Sequence, residues 1–477
     1  MSAPVAVICV DFGSTFTKAV LVDGSTGALL GAASHRTTIP GADGGGDVLA
    51  GFDACRAELA RQHPAAADAE VLACSSAGGG LRIAVVGNEE LVTAEAGRRV
   101  ALSSGGKVVA VLGRTSDETA YRELAATARP DVVLLTGGTD GGDEDGILTG
   151  ARRIAASGWH GPVVVAGNAA AQAEVGAALG DLPVVVTDNV VPRIGVLRPE
   201  PARQAIREMF LAHVIGGKHL SRRADFTAMV RGATPDLVLT GVEVLAAELG
   251  RDPATGQRMR GVVVVDIGGA TTDVHSVVEL DPEDAGLSRE VVATTPVTRT
   301  VEGDLGMRWS ALSTWEAGHA EGLLDDDLRP AAVRRAGEPS FLPDTDAERR
   351  EDEQIAAAAA TIALRRHAGR SRVVVGLATD AGDSSRVVER TGKDLREVDL
   401  LVGSGGVLRH LAPDVAHRIL GALTGVSPQG WQQPEHPMLV LDRDYVLAAV
   451  GLLAERRPAA AAALARSLSR CAETPES

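Results

Sequence analysis

Asp11-Phe12-Gly13-Ser14-Thr15-Phe16-Thr17-Lys18 puts a carboxylate at the end of an apolar run, then a glycine and hydroxyl residues. A turn of this kind aims backbone N–H groups and hydroxyls into one concavity, a nest for an anion. The Asp11 carboxylate beside it suits a hydrated Mg²⁺, which takes oxygen ligands and keeps several waters. An ordinary hairpin can use the same residues, so one copy decides little. A second copy follows a run of valines: Asp266-Ile267-Gly268-Gly269-Ala270-Thr271-Thr272-Asp273. Two such hairpins facing each other would grip a polyphosphate from both sides, with Asp11 and Asp266 converging on one metal. Asp11, Asp266 and Asp273 are then the candidate catalytic carboxylates. Gly13, Ser14, Thr15, Lys18, Gly268, Gly269, Thr271 and Thr272 are the candidate phosphate-binding residues. A third element, Gly403-Ser404-Gly405-Gly406 after Leu400-Leu401-Val402, lets backbone approach a flat ligand or a phosphate. A bare strand–glycine–helix turn is common, so this element takes its weight from the first two.

The rest of the composition narrows the class. The chain has 477 residues, enough for about three domains and several cores without disulfide or metal staples. Lys plus Arg number 47 and Asp plus Glu 63, a net charge of −16 that opposes a duplex-binding surface. Aromatics are 3%, too few to stack a single strand, so no nucleic-acid partner is expected. Cys9, Cys55, Cys74 and Cys471 form no CxxC pair, and Cys9 and Cys74 sit in strand-like runs as small core residues. A reducing compartment is expected. The first apolar run, Pro4–Val10, stops at Asp11 without a basic leader and does not read as a signal peptide. The runs Ile355–Leu364 and Tyr445–Ala454 are too short to span a bilayer. The expectation is a cytoplasmic protein with no membrane partner. Homo-oligomer formation stays open.

These residues need strands and turns to place them. Val5–Val10, Phe16–Val22 and Ala28–Ser34 read as strands, the last two joined by an Asp23–Gly27 turn. From Glu70 to Leu197 strand-like runs alternate with helical patterns, the signature of a parallel sheet covered on both faces and long enough for a domain of its own. Leu237–Leu239, Val262–Val265, Thr272–Val278, Val373–Val375 and Leu400–Val402 read as further strands, and Ile355–His367 as helix. The strand–turn–strand unit occurs twice, so a duplicated domain is expected. Domain boundaries are read as 1–130, an additional α/β region at 131–225, and 226–477. The acidic stretch within Asp281–Gln354 reads as solvated surface.

In order and spacing, the three glycine-bearing elements resemble the actin-like ATPase superfamily: sugar kinases, heat-shock chaperones and actin. That resemblance implies an α/β fold of two duplicated domains around an ATP cleft, here with an additional α/β region, and ATP with Mg²⁺ as ligands. The small-residue runs Thr240–Ala247 and Asp444–Gly451 match its connecting helices, which cross closely. Within the superfamily the chain resembles the accessory protein family of adenosylcobalamin-dependent glutamate (methylaspartate) mutase, the MutL type. The residues that carry this are DFGSTFTK (11–18), LLTGGTDGG (134–142), DNVVPRIG (188–195), DIGGATTDVHSV (266–277), TVEGDLGMR (300–308), GKDL (392–395) and LDRDYVLAAVGLL (441–453). They run over nearly the whole chain. The family is unrelated to the DNA-repair protein of the same short name. The resemblance implies an ATP-dependent, chaperone-like reactivator with the mutase subunits as partners. Heat-shock chaperones carry a glutamate before the second hairpin that positions the attacking water. Glu243 stands near that position but is offset by about two residues, and a surface ion-pair role is an equal alternative.

Rival functions share the fold. A small-molecule kinase needs a general base, for which Asp304 is the candidate. An iron–sulfur activator needs paired cysteine ligands, which this chain lacks. A filament-forming relative is opposed by the additional α/β region. The loop Thr136–Asp143 reads either as a ligand-touching turn or as a plain glycine-rich turn. His160, His213, His219 and His275 show no metal-ligand spacing.

Overall fold

The computed structural model describes residues 5–39, 46–77, 80–215, 219–250, 259–279, 295–375 and 386–470. In the N-terminal part its strands are β1 (Ala6–Phe12), β2 (Phe16–Asp23), β3 (Leu29–Arg36), β4 (Glu70–Ser75), β5 (Leu81–Gly87), β6 (Gly106–Leu112), β7 (Val132–Thr136), β8 (Val163–Val165), β9 (Val184–Val186) and β10 (Val230–Ala233). There follow β11 (Gly261–Ile267), β12 (Thr272–Val278), β13 (Val297–Glu302), β14 (Arg370–Val375), β15 (Arg386–Thr391), β16 (Leu400–Ser404) and β17 (Met438–Leu441).

The expected duplication is visible in the sheets. One has the order β3-β2-β1-β4-β10 and another β13-β12-β11-β16-β17. In both, the central strand pairs antiparallel with the strand that follows it and parallel with the next. Every residue of β1 is buried, as a β-branched run covered on both faces requires. Asp11 ends this apolar strand and Asp266 ends its counterpart β11, opposite Lys18 and Asp273 respectively.

A third sheet, β6-β5-β7-β8-β9, is wholly parallel. Side chains alternate across a strand, so each strand feeds two cores. Ile83, Val85, Val132, Leu134 and Val164 join the core of the first sheet. Ala84, Val86, Val133, Leu135 and Val165 form a second core with Tyr121, Ile147 and Ile154. This sheet shares a core with β1–β4 and does not stand apart. The expected additional region at 131–225 holds β7, β8 and β9, while β5 and β6 precede it. The alternation of strand and helix does not say which sheet a strand joins.

Two compact units emerge, and among the described residues the chain passes between them at Gly241/Val242, Val446/Leu447 and Leu464/Ala465. These points fall inside helices, Thr234–Glu248, Val446–Ala454 and Pro458–Arg470. Leu237–Leu239, expected as a strand, therefore lies in a helix. Three apolar residues carry no period, and Pro235 in the first turn presets helical φ. The expected close crossing is present: a Cβ on Gly241 would meet the Leu447 carbonyl, and one on Gly451 would lie 2.7 Å from the carbonyl carbon of Leu237.

The second unit buries a polar cluster behind β12. His367 Nε2 lies 2.8 Å from Ser276 Oγ, and its Nδ1 lies 3.0 Å from Thr300 Oγ1. Lys393 Nζ donates to the Thr295 carbonyl at 3.0 Å. Burial, then the Arg299 charge, holds His275 well below the usual imidazole range. Burial and Lys393 do the same to His367. Both rings stay neutral in the fold, whereas the unfolded chain protonates them near pH 6.5. Below that pH the unfolded state binds more protons, so stability falls as pH falls. The expected slope is up to about 1.4 kcal/mol per pH unit for each ring. Urea midpoints between pH 7.5 and 5.5 check this, and His367→Gln should flatten the dependence.

Among the described residues, no helix is long and apolar enough to cross a membrane.

Candidate phosphate-binding hairpins

The first hairpin belongs to the first unit. Phe12 pairs with Thr17, and Gly13 N donates to the Phe16 carbonyl at 3.2 Å. A Cβ on Gly13 would lie 2.6 Å from that carbonyl oxygen, so the turn closes only with glycine there. Asp11 is 7% exposed. Its Oδ1 accepts from Thr234 Oγ1 at 2.6 Å, and its Oδ2 faces Lys18 Nζ at 3.4 Å. Ser14 at the tip is exposed, and Thr15 Oγ1 is buried without a hydrogen-bond partner.

The second hairpin repeats this turn in the second unit. Ile267 pairs with Thr272, Gly268 N donates to the Thr271 carbonyl at 2.9 Å, and a Cβ on Gly268 would lie 2.8 Å from that oxygen. Where the first hairpin sets Lys18 opposite Asp11, this one sets Asp273 opposite Asp266, and like charges at cross-strand positions repel. Arg299, 3% exposed, offsets the repulsion by donating to Asp273 Oδ1 at 2.6 Å. Thr271 Oγ1 donates to Asp273 Oδ2 at 3.2 Å, so Asp273 orients a turn hydroxyl. Thr272 Oγ1 is buried and unpartnered.

The third element comes to the second hairpin. β16 pairs parallel with β11, placing Ser404 level with Asp266. Gly405 has φ +103°, and a Cβ there would lie 2.8 Å from the backbone of Ile267. Gly406 opens a short helix, Gly406–His410. Glu243 is half-buried on the Thr234–Glu248 helix.

Several contributors escaped sequence reasoning. Met307 N and Arg308 N donate to the Gly268 and Gly269 carbonyls at 3.0 and 2.8 Å, and Ser310 Oγ donates to Ala270 at 2.6 Å. These three bonds occupy the carbonyls of the second turn from one side. The motif at 300–308 carried this signal without saying what it touched. Tyr445 has φ +56°, an uncommon conformation for a side-chain-bearing residue, and the Arg409 guanidinium sits 4.9 Å from its ring centroid. Its hydroxyl would lie 3.9 Å from a Cβ on Gly406. Asp304, the candidate kinase base, is held by Arg366 through both oxygens at 2.8 and 2.9 Å.

The loop at 136–143 is tied down by two asparagines. Asn168 Oδ1 accepts from Gly141 N at 3.0 Å, and Asn189 Nδ2 donates to the Gly138 carbonyl at 3.0 Å.

One glycine hairpin, built twice at the head of two sheets of the same order, defines an α/β protein of the actin-like ATPase fold. The family described as MutL protein matches residues 7–468, and the chain belongs to it. "Protein MutL" of Clostridium tetanomorphum is 35% identical over 463 residues, covering 95% of this chain and 96% of that relative. Among solved structures, nucleotide-free acetone carboxylase aligns at 14% identity and a TM-score of 0.40, over 94% of this chain and 70% of that one. The ethanolamine utilization protein EutJ of Carboxydothermus hydrogenoformans aligns at 12% identity and a TM-score of 0.25, over 94% and 88%.

Proposed function

We propose that this chain is an ATP-dependent accessory protein that reactivates an adenosylcobalamin-dependent glutamate (methylaspartate) mutase, converting ATP binding and hydrolysis into motion of its two units. The observation that carries the reading is the repeated turn, in which a glycine N–H closes on a carbonyl next to a strand-ending aspartate. The donor chemistry fits a nucleotide. Thr15 Oγ1 and Thr272 Oγ1 are buried hydroxyls without partners, and such groups are costly to leave unpaired. In this reading Ser14, Thr15, Thr271 and the turn N–H groups bind phosphate oxygens, and Lys18 adds positive charge. Gly403–Gly406, with Tyr445 and Arg409 alongside, flank the nucleoside. Asp11 and Asp266 are the carboxylates that would serve a hydrated Mg²⁺, and the metal would supply charge neutralisation at the phosphates. Asp273 keeps Thr271 in place, and Glu243 orients the attacking water.

Coupling has a physical route. Asp11 is bonded to Thr234, the first residue of the helix that runs on to Glu248. A change at Asp11 therefore reaches the start of a helix along which the chain leaves the first unit. For the kinase alternative, the proposed base Asp304 sits in a two-oxygen ion pair with Arg366.

Binding to the folded state raises stability by mass action, about 2.7 kcal/mol at a hundredfold excess over Kd. Thermal denaturation with and without ATP and Mg²⁺ should show a clear rise in Tm. No shift at millimolar nucleotide would discard the hairpins as a nucleotide site.

A further inference from the structure

We propose a second small-molecule site, in the third sheet, for a neutral ligand that presents a vicinal diol of the ribose or polyol kind. The first observation is topological. In chain order the five parallel strands lie 2-1-3-4-5, so the connection after β5 runs to β6 on one side and that after β7 runs to β8 on the other, with a switch point between β5 and β7. Open α/β sheets bind ligands in the crevice beyond the carboxyl ends of their strands at such a switch point. A cavity of about 60 Å³ lies there, between the ends of β5, β6 and β7 and the helix Asp145–Ala156.

The second observation is an orphaned polar atom in the cavity wall. Asn88, at the end of β5, lines the cavity and is 6% exposed. Its Nδ2 donates to Asp143 Oδ2 at 2.6 Å. A carboxylate only accepts, so this bond fixes which way the amide is turned. Oδ1 is left buried with no hydrogen-bond partner. A Cβ on Gly146, also in the wall, would collide with this carboxamide, so glycine leaves Asn88 room to hold the position.

The chemistry of the wall selects the ligand. Asn88 Oδ1 and the Asp145 carboxylate are acceptors, and the Thr149 hydroxyl can accept as well. They call for paired O–H donors. Asp140, Asp143, Glu144 and Asp145 crowd the entrance to the helix and oppose a phosphate or carboxylate. Against these four carboxylates the cavity wall carries two cations, Arg114 and Arg153, and Arg153 Nη1 already donates to the carbonyls of Arg114 and Ser116 at 3.3 and 2.9 Å. At roughly 15 Å³ of such space per water, the volume suits a few heavy atoms, a diol edge and not a whole nucleotide. This site needs neither ATP hairpin.

The test uses hydrogen exchange on the full chain with methyl β-D-ribofuranoside as the probe, which has no base and no phosphate. Amides of 137–150 should be protected at millimolar probe, and the 2-deoxy analogue should protect them at least tenfold less well. Asn88→Leu should abolish the protection. Thr149→Val, a milder change at a part-exposed position, should weaken it about tenfold, the scale of one hydrogen bond. Both variants should keep the Tm rise with ATP and Mg²⁺, which separates failure here from failure of the nucleotide site. The proposal is overturned if the riboside protects nothing in 137–150 of the wild-type chain. It is equally overturned if the 2-deoxy analogue matches the riboside, or if inorganic phosphate protects these amides where the riboside does not.

Discussion

Asp266→Ala should slow ATP hydrolysis about a hundredfold while the protein stays folded. The carboxylate ends a strand whose preceding valines are fully buried, yet Asp266 itself is part-exposed. It is therefore not needed to complete the core. Opposite it, Asp273 is held by Arg299, so removing Asp266 relieves a cross-strand repulsion between like charges. The loss falls on charge arrangement at the phosphates, where deleting one preorganised group typically costs about 3 kcal/mol of barrier. Single-turnover hydrolysis, with circular dichroism to confirm folding, checks it. Unchanged turnover in a folded Asp266→Ala protein would remove this residue from the reaction.

Gly451→Ala should destabilise the protein by roughly 1–3 kcal/mol, the usual cost of overpacking a close contact. The added methyl would lie 2.7 Å from the backbone of Leu237, and backbone cannot rotate aside as a side chain can. The two helices must separate. Gly241 lies at the same crossing, facing the Leu447 carbonyl, so Gly241→Ala should act alike. In the double variant the costs should fall short of additive, because the first methyl already makes room for the second. Urea denaturation of the two single variants and the pair measures the coupling. Fully additive costs would mean the glycines do not share one contact.

What was legible in the sequence was whatever repeats or punctuates locally. The strand-ending aspartates, the glycine that closes each turn and the small residues at the helix crossing are all set by backbone sterics, which a short window reveals. The duplication was legible because its two hairpins carry the same residue pattern, and the sheets repeat their order. Contacts made over long sequence separations were not legible. Nothing local to Thr234 announces that it bonds Asp11, and nothing in residues 307–310 announces that they hold the second turn. The Leu237–Leu239 run misled because three apolar residues fit a strand and a buried helix equally. The third sheet's partition failed to show for a similar reason. Each of its strands alternates between two cores, and period-2 alternation does not name the partner on either face.

The central claim is that ATP turnover here reactivates a cobalamin enzyme. The most direct measurement starts from glutamate mutase inactivated with its damaged cofactor still bound. Recovery of mutase activity is then followed after addition of this protein, Mg²⁺ and fresh adenosylcobalamin, with ATP or a non-hydrolysable analogue. The account expects recovery with ATP and none with the analogue. Equal recovery with both, or none with either while a small molecule is phosphorylated as fast as ATP is consumed, would contradict it.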